Sequence, residues 1–399
     1  MVKSMIPSFN LARIPHIIFG VGKLDELYKI IPKYGKNVLF VIGGKSLKQS
    51  GVWEKITSNL GMISTSYSSI SISNEPSPNL IDENTEKFRD KKLNLVVGIG
   101  GGSVIDTGKA ISAMLTKNDS IENYLEGVGT KIHDGKKVPY IAIPTTSGTG
   151  SEATKNAVIS KIGDEGYKKS LRHDNLIPDI AIIDPQLMIS CPSSISAACG
   201  MDAFTQLLEA FVSPKGNPIT DSLAYNGMKY IGENILFACT NRSSDVNVRA
   251  AMAYGSLISG IVLANAGLGI IHGLASSIGG MFEIPHGVVC GTLLAEATKI
   301  NIKMLQKQKS EGKEALKKYA QIGALLEGKY QIEEGMIDQY YLRLIEKLEE
   351  WTSELKIDRL GKYEIKNEDI EKIVEKTGLK NNPIYLNKEK IKNIIINRL

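Results

Sequence analysis

The sequence predicts an α/β region built on a parallel, doubly wound sheet, followed by an all-α region. Three observations carry that expectation. Short apolar runs alternate with helix-length segments through the first half. Each run ends at glycine or proline, as strands that lead into loops do. From Ser194 to Leu399 nearly every stretch is helix-compatible and strand-like runs are few.

The elements follow in order. His16 precedes Ile17-Ile18-Phe19, an early strand. Val38–Ile42 is β-branched-rich and ends at Gly43-Gly44. Leu95–Ile99 ends at Gly100-Gly101-Gly102, Tyr140–Ile143 at Pro144, and Ile180–Ile183 at Asp184-Pro185. Continuous apolar runs of this length suit parallel strands buried on both faces. The change of pattern after Pro185 puts a boundary near residue 190, dividing an α/β region (1–190) from a helical region (191–399). Ala250–Phe282 contains no Asp, Glu, Lys or Arg, but its serines, Asn265, His272 and seven glycines make it buried helix rather than a membrane span. Lys303–Asp358 is Lys/Glu/Leu-rich and reads as exposed amphipathic helix.

Composition narrows the function. A chain of 399 residues with 42% hydrophobic and 23% charged residues is neither disordered nor a coiled coil. Its net charge of +5 is mild, and no Lys/Arg cluster interleaves with aromatics, so nucleic acid is not an expected partner. Four cysteines without a CxxC pair point to reduced thiols in the cytoplasm. Met1–Asn10 lacks the apolar core of a signal peptide.

Four motifs carry chemistry. Gly98-Ile-Gly-Gly-Gly-Ser103-Val-Ile-Asp106 joins a strand to a helix. Glycines there let backbone approach a pyrophosphate, and the helix start offers free N–H groups. Pro144-Thr-Thr-Ser-Gly-Thr-Gly-Ser-Glu152 follows another strand with hydroxyls suited to ribose and phosphate oxygens. In Gly200-Met-Asp202-Ala-Phe-Thr-Gln206, Asp202 and Gln206 share one helix face. His272 and His286 lie in the most apolar region. On a straight helix, 14 residues would separate them by about 21 Å. Gly279-Gly280 and Pro285 are the expected breaks that let the chain turn back. Two histidines and a carboxylate form a set that holds Fe(II) or Zn(II) with open positions.

These motifs, with Phe19-Gly20-Val21-Gly22, IPDIAIIDPQLM, IPHGV and Asn382-Pro383 before a short C-terminal helix, resemble the iron-containing (group III) alcohol dehydrogenases over nearly the whole chain. The resemblance implies a dehydroquinate synthase-like architecture with its active site in the cleft between the two regions. It implies NAD(P)-dependent interconversion of a small alcohol and an aldehyde or ketone, by a homodimer or larger homo-oligomer. It also implies one divalent metal, Fe or Zn, on Asp-x-x-x-His plus two later histidines. Asp202, His272 and His286 match, Gln206 stands at the first histidine, and Ser276 replaces a further histidine near the nicotinamide. The implied nucleotide residues are Ser77, Gly101, Gly102, Ser103, Asp106, Thr145, Thr146, Thr149 and Lys168, with Lys169 one register away. Gly44 occupies the position of an aspartate that repels a 2′-phosphate, and Lys45 and Ser46 can contact that phosphate, so NADP is expected over NAD. No residue stands out as a general acid.

Three rival readings share these motifs: a metal-independent reductase resembling maleylacetate reductases, a lyase resembling dehydroquinate synthase, and a nucleotide-binding protein without redox turnover. PTTSGTGSE and the GMDAF context oppose the lyase.

Overall fold

Six parallel strands form the first half in the computed structural model, which describes residues 6–308, 312–333 and 335–399. Residues 1–5 of the N-terminal stretch, and 309–311 and 334 within the amphipathic stretch, lie outside the described residues. The strands are β1 (His16–Phe19), β2 (Asn37–Gly43), β3 (Ser66–Ile72), β4 (Leu95–Gly100), β5 (Tyr140–Pro144) and, after a hairpin of β6 (Asn156–Lys161) and β7 (Tyr167–Arg172), β8 (Ile180–Ile183). Their order is β1-β8-β5-β4-β2-β3.

The four runs read from sequence are the interior strands. Every residue of β4, β5 and β8 is buried, so alternate side chains feed two cores. Leu39, Val41 and Val96 face one; Phe40, Val97 and Ile99 face the other. Edge strand β3 (SYSSISI) buries only Ile70 and Ile72 and gives no continuous apolar run.

Register places the functional loops. Ile42 pairs with Ile99 and Gly100 with Pro144, so the carboxyl ends of β2, β4 and β5 are adjacent. Ligands of open α/β sheets bind at such a rim.

Helices α1 (Leu27–Tyr34), α2 (Ser46–Gln49), α3 (Val52–Met62), α4 (Pro78–Phe88) and α5 (Gly102–Met114) accompany the sheet. The rest is helical: α6 (Ser193–Val212), α7 (Pro218–Cys239), α8 (Val246–Ala266), α9 (Ile270–Met281), α10 (His286–Leu305), α11 (Lys313–Leu326), α12 (Ile337–Glu354), α13 (Ile370–Lys376) and α14 (Lys388–Ile396). Their core includes Phe204 edge-on to Trp351, ring centroids 4.9 Å apart. By length and composition α8 is apolar enough to cross a bilayer, but 67% of that window is buried in the fold.

One buried cation ties the two glycine-rich loops together. Lys109 of α5 is fully buried, and its Nζ donates to Ser151 O, Thr154 Oγ1 and Asn156 O at 2.7–3.0 Å. This pins the segment after β5 to the helix after β4.

Candidate functional site

Three helices converge on one buried cluster. On α6, Asp202, Gln206 and Glu209 fall at i, i+4 and i+7, hence on one face. His272 lies in the first turn of α9, and His286 opens α10. The break between those two helices is Phe282–Pro285. Gly279-Gly280, expected to be part of it, lie inside α9 instead. Their lack of Cβ lets the β6–β7 hairpin approach: a Cβ at Gly280 would sit 2.9 Å from Tyr167 Cα, and one at Gly279 3.2 Å from Lys168 Cδ.

The Phe282–Pro285 turn between α9 and α10 brings the histidine rings within 5.5 Å, centroid to centroid. His272 Nε2 is 3.4 Å and His286 Nε2 3.7 Å from Asp202 Oδ1. A fourth donor, Cys290 Sγ, is 3.7 Å from each Nε2, and all four ligand atoms lie within 4.8 Å of one another. Asp202 and His272 are buried, while His286 is 24% exposed toward solvent.

Glu209 completes the arrangement. Its Oε2 is 2.7 Å from His272 Nδ1, and its Oε1 accepts from Ile271 N at 2.7 Å. A carboxylate on Nδ1 fixes the ring and aims the Nε2 lone pair inward. Asp202 Oδ1 is buried with no hydrogen-bond partner. Two imidazole nitrogens and a carboxylate oxygen therefore face one another around a point that needs positive charge. Burial alone would lower the His272 pKa, yet Cys290, Asp202 and Glu209 raise it well above the usual imidazole value. Burial pushes His286 down to about 4, which leaves it neutral at pH 7. The donor set fits a divalent cation such as Zn(II) or Fe(II).

Gln206 is placed differently. Its Oε1 lies 2.6 Å from Ser259 Oγ, so its amide is anchored on α8. Ser276 Oγ donates to His272 O at 2.8 Å and lies 3.4 Å from Lys380 Nζ. Lys380 holds a φ of +52°, an uncommon left-handed conformation for a side-chain-bearing residue.

A cleft of about 600 Å³ is lined in part by Pro285, the residue before His286. Its lining includes the α9–α10 turn, Phe282 to Pro285, Ser77 and Ser103 of the sheet region, and Lys168 of β7, which lies against Gly279. Ser77 caps α4 by accepting from Leu80 N. Lys168, not Lys169, faces the cleft, 2.9 Å from Glu75 Oε2. Burial raises the Glu75 pKa, but Lys168 and Ser103 pull it lower and keep the carboxyl ionised.

The glycine-rich loops meet at the sheet rim. A Cβ on Gly102 would fall 2.6 Å from Thr149 Cγ2, and one on Gly101 3.4 Å from Thr146 Oγ1. Thr145 N donates to Gly100 O. Val104 and Ile105 N–H close the first turn of α5 on Gly101 O, while among the described residues the Gly102 and Ser103 N–H groups meet no partner. Gly44, Lys45 and Ser46 lie at the adjacent end of β2, with Lys45 and Ser46 exposed. Asp106 points away from this rim. It is buried, accepts from Val158 N at 3.0 Å and lies 3.6 Å from Lys109 Nζ, so it holds α5 to the hairpin.

Glu209, Cys290, Glu75 and Lys380 had no role in the sequence reading. Two of them had a local signal: Cys290 follows His286 by four residues, one helical turn, and Glu209 follows Asp202 by seven, two turns.

A parallel sheet with a glycine-rich rim, followed by a helical half that holds a carboxylate–imidazole cluster, is the architecture of a dinucleotide-dependent oxidoreductase of two unlike halves. The chain belongs to the iron-containing alcohol dehydrogenase family. Residues 15–185 match the family profile described as iron-containing alcohol dehydrogenase, and residues 196–399 match its C-terminal profile. Long-chain-alcohol dehydrogenase 1 of Geobacillus thermodenitrificans is 38% identical over 282 residues, 69% of each chain. The NAD-dependent methanol dehydrogenase of Bacillus methanolicus is 31% identical over 275 residues, 69% of this chain and 71% of that one. The alcohol dehydrogenase structure from Oenococcus oeni superposes with a TM-score of 0.85 at 27% identity, covering 98% of this chain and 100% of that one. The protein is thus an NAD(P)-dependent oxidoreductase acting on CH–OH groups, of the alcohol dehydrogenase class.

Proposed function

We propose that the protein interconverts a small alcohol and its aldehyde or ketone, with a divalent ion on Asp202, His272 and His286 and with NADP(H) as the better cofactor. The observation that carries this reading is the unpartnered Asp202 Oδ1 facing two imidazole Nε2 atoms beside the cleft. When bound, the ion supplies Lewis acidity at the substrate oxygen and the nicotinamide carries the hydride. The chain supplies the rest. Glu209 holds His272 in its liganding orientation. The free N–H groups of Gly102 and Ser103 face the position of a pyrophosphate at the α5 N-terminus. Thr145, Thr146 and Thr149 add hydroxyls at the same rim. Ser276, held between His272 O and Lys380, is the hydroxyl placed to pass a proton at the cluster.

The NADP preference stands on this chain's own residues, since the methanol dehydrogenase relative is named for NAD. A Cβ on Gly44 meets nothing closer than 3.8 Å, so an aspartate fits there without strain on its neighbours. Gly44→Asp is expected to move the ratio of specificity constants toward NADH by about tenfold or more, because a like-charge contact with a 2′-phosphate costs roughly 1–3 kcal/mol. A wild type that already prefers NADH widely contradicts this assignment of Gly44. Aldehydes, ketones and alcohols assayed with both cofactors, with and without added Fe(II) or Zn(II), test the whole reading.

Glu209→Gln keeps the side-chain volume but removes the charge behind His272. Metal affinity measured by chelator competition should fall about tenfold to a hundredfold. An unchanged affinity would show that Glu209 does not support the site.

A homo-oligomer in a cytoplasmic setting completes the proposal. Phe9, Leu11, Ile14 and Val21 expose apolar surface near edge strand β1, which suits a second copy of the chain. Light scattering on the purified protein tests it.

A further inference from the structure

We propose that Cys290 is a metal ligand, its thiolate taking the coordination place that Gln206 does not fill, and that it biases the site toward Zn(II) over Fe(II). The proposal rests on the reading of Asp202, His272 and His286 as a metal site and deepens it.

Position is the first argument. His286 and Cys290 are one helical turn apart on α10, so both side chains project from the same face. Cys290 is fully buried, and its Sγ is 3.7 Å from His272 Nε2 and 3.7 Å from His286 Nε2. The ligand atoms of a tetrahedral zinc are about 3.3–3.6 Å apart, given Zn–N near 2.0–2.1 Å and Zn–S near 2.3 Å. Four separations among the nitrogen, oxygen and sulfur atoms of this cluster, 3.4–3.7 Å, come within a few tenths of an ångström of that figure, and all pairs lie within 4.8 Å.

The second argument is independent of the cysteine. Asp202 Oδ1, on a residue 2% exposed, has no hydrogen-bond partner and points into the same space. A cation there satisfies it. Gln206, one turn along α6 from Asp202, has its amide on Ser259 instead.

The third argument is chemical. Exchanging an imidazole or amide for a thiolate softens the donor set, which favours zinc over iron. Cysteine binds as the thiolate, so coordination releases its proton to solvent. With Asp202, His272 and Cys290 buried, the 24% exposed His286 marks the side on which a substrate oxygen would add as a fifth ligand.

The test uses the full chain, stripped of metal by chelator under reducing conditions and titrated with Co(II). One Co(II) per chain should bind with a thiolate-to-cobalt charge-transfer band in the near ultraviolet. Cys290→Ser should abolish that band and weaken Zn(II) binding about tenfold to a hundredfold, with a smaller loss for Fe(II). Adding Gln206→His to Cys290→Ser should recover zinc affinity without the band. One bound Co(II) with no thiolate band in the wild type overturns the proposal and leaves the Asp202–His272–His286 site standing. So does a band that survives Cys290→Ser. Failure of the wild type to bind Co(II) or Zn(II) at all sinks both this inference and the site on which it rests.

Discussion

His272→Ala is expected to empty the metal site and lower turnover by about a thousandfold or more, with the fold retained. His272 faces Asp202 through Nε2 and Glu209 through Nδ1, so its loss removes a ligand and leaves two buried carboxylates facing a void. Lewis-acid help at a developing alkoxide is worth several kcal/mol, and about 4 kcal/mol is a thousandfold in rate. Because the substitution also opens a cavity in α9, Asp202→Asn is the companion variant. It keeps the shape and removes the charge that faces both imidazoles. Elemental analysis, far-ultraviolet circular dichroism and steady-state rates on the two variants decide the matter. A folded, metal-free Asp202→Asn enzyme with wild-type turnover contradicts the role given to this cluster.

Gly102→Val should lower cofactor affinity by about tenfold or more. The space beside Gly102 is already taken by the Thr149 side chain, 2.6 Å from where a Cβ would stand. A side chain there pushes the two rim loops apart and displaces the N–H groups at the start of α5. Losing one hydrogen bond to a charged phosphate costs about 1.5–3 kcal/mol, or roughly tenfold to a hundred-and-fiftyfold. Nucleotide affinity measured by fluorescence titration of the folded variant checks this; unchanged affinity would place the pyrophosphate elsewhere.

The interior of the sheet was legible because burial on both faces writes a continuous apolar run. VLFVI and LVVGI are short, β-branched-rich and end in glycine, which favours strand over buried helix. Strand β3 escaped because an edge strand with one wet face spells SYSSISI, and the β6–β7 hairpin because Lys161, Lys168 and Lys169 give it a surface composition. Of the expected breaks between His272 and His286, Pro285 lies in the observed one, Phe282–Pro285, and Gly279-Gly280 do not. Gly279-Gly280 looked like helix breakers, whereas close approach of the hairpin explains them. Asp202, His272 and His286 were legible as residue types, and the fold brings them together. Glu209 lay outside the motif, although it shares a helix face with Asp202. Lys380 meets Ser276 across 104 residues of chain, a separation that no local pattern encodes. Asp106 shows the reverse: it belongs to the motif by sequence, yet its buried carboxyl serves the packing of α5 on β6.

The most direct test of metal-assisted alcohol oxidation here is the activity of protein stripped by chelator and verified metal-free by elemental analysis. The account predicts that turnover with NADPH and an aldehyde is lost on stripping and returns as one divalent ion per chain is added back. Full turnover in the verified metal-free protein would contradict it and favour a reductase that works without metal.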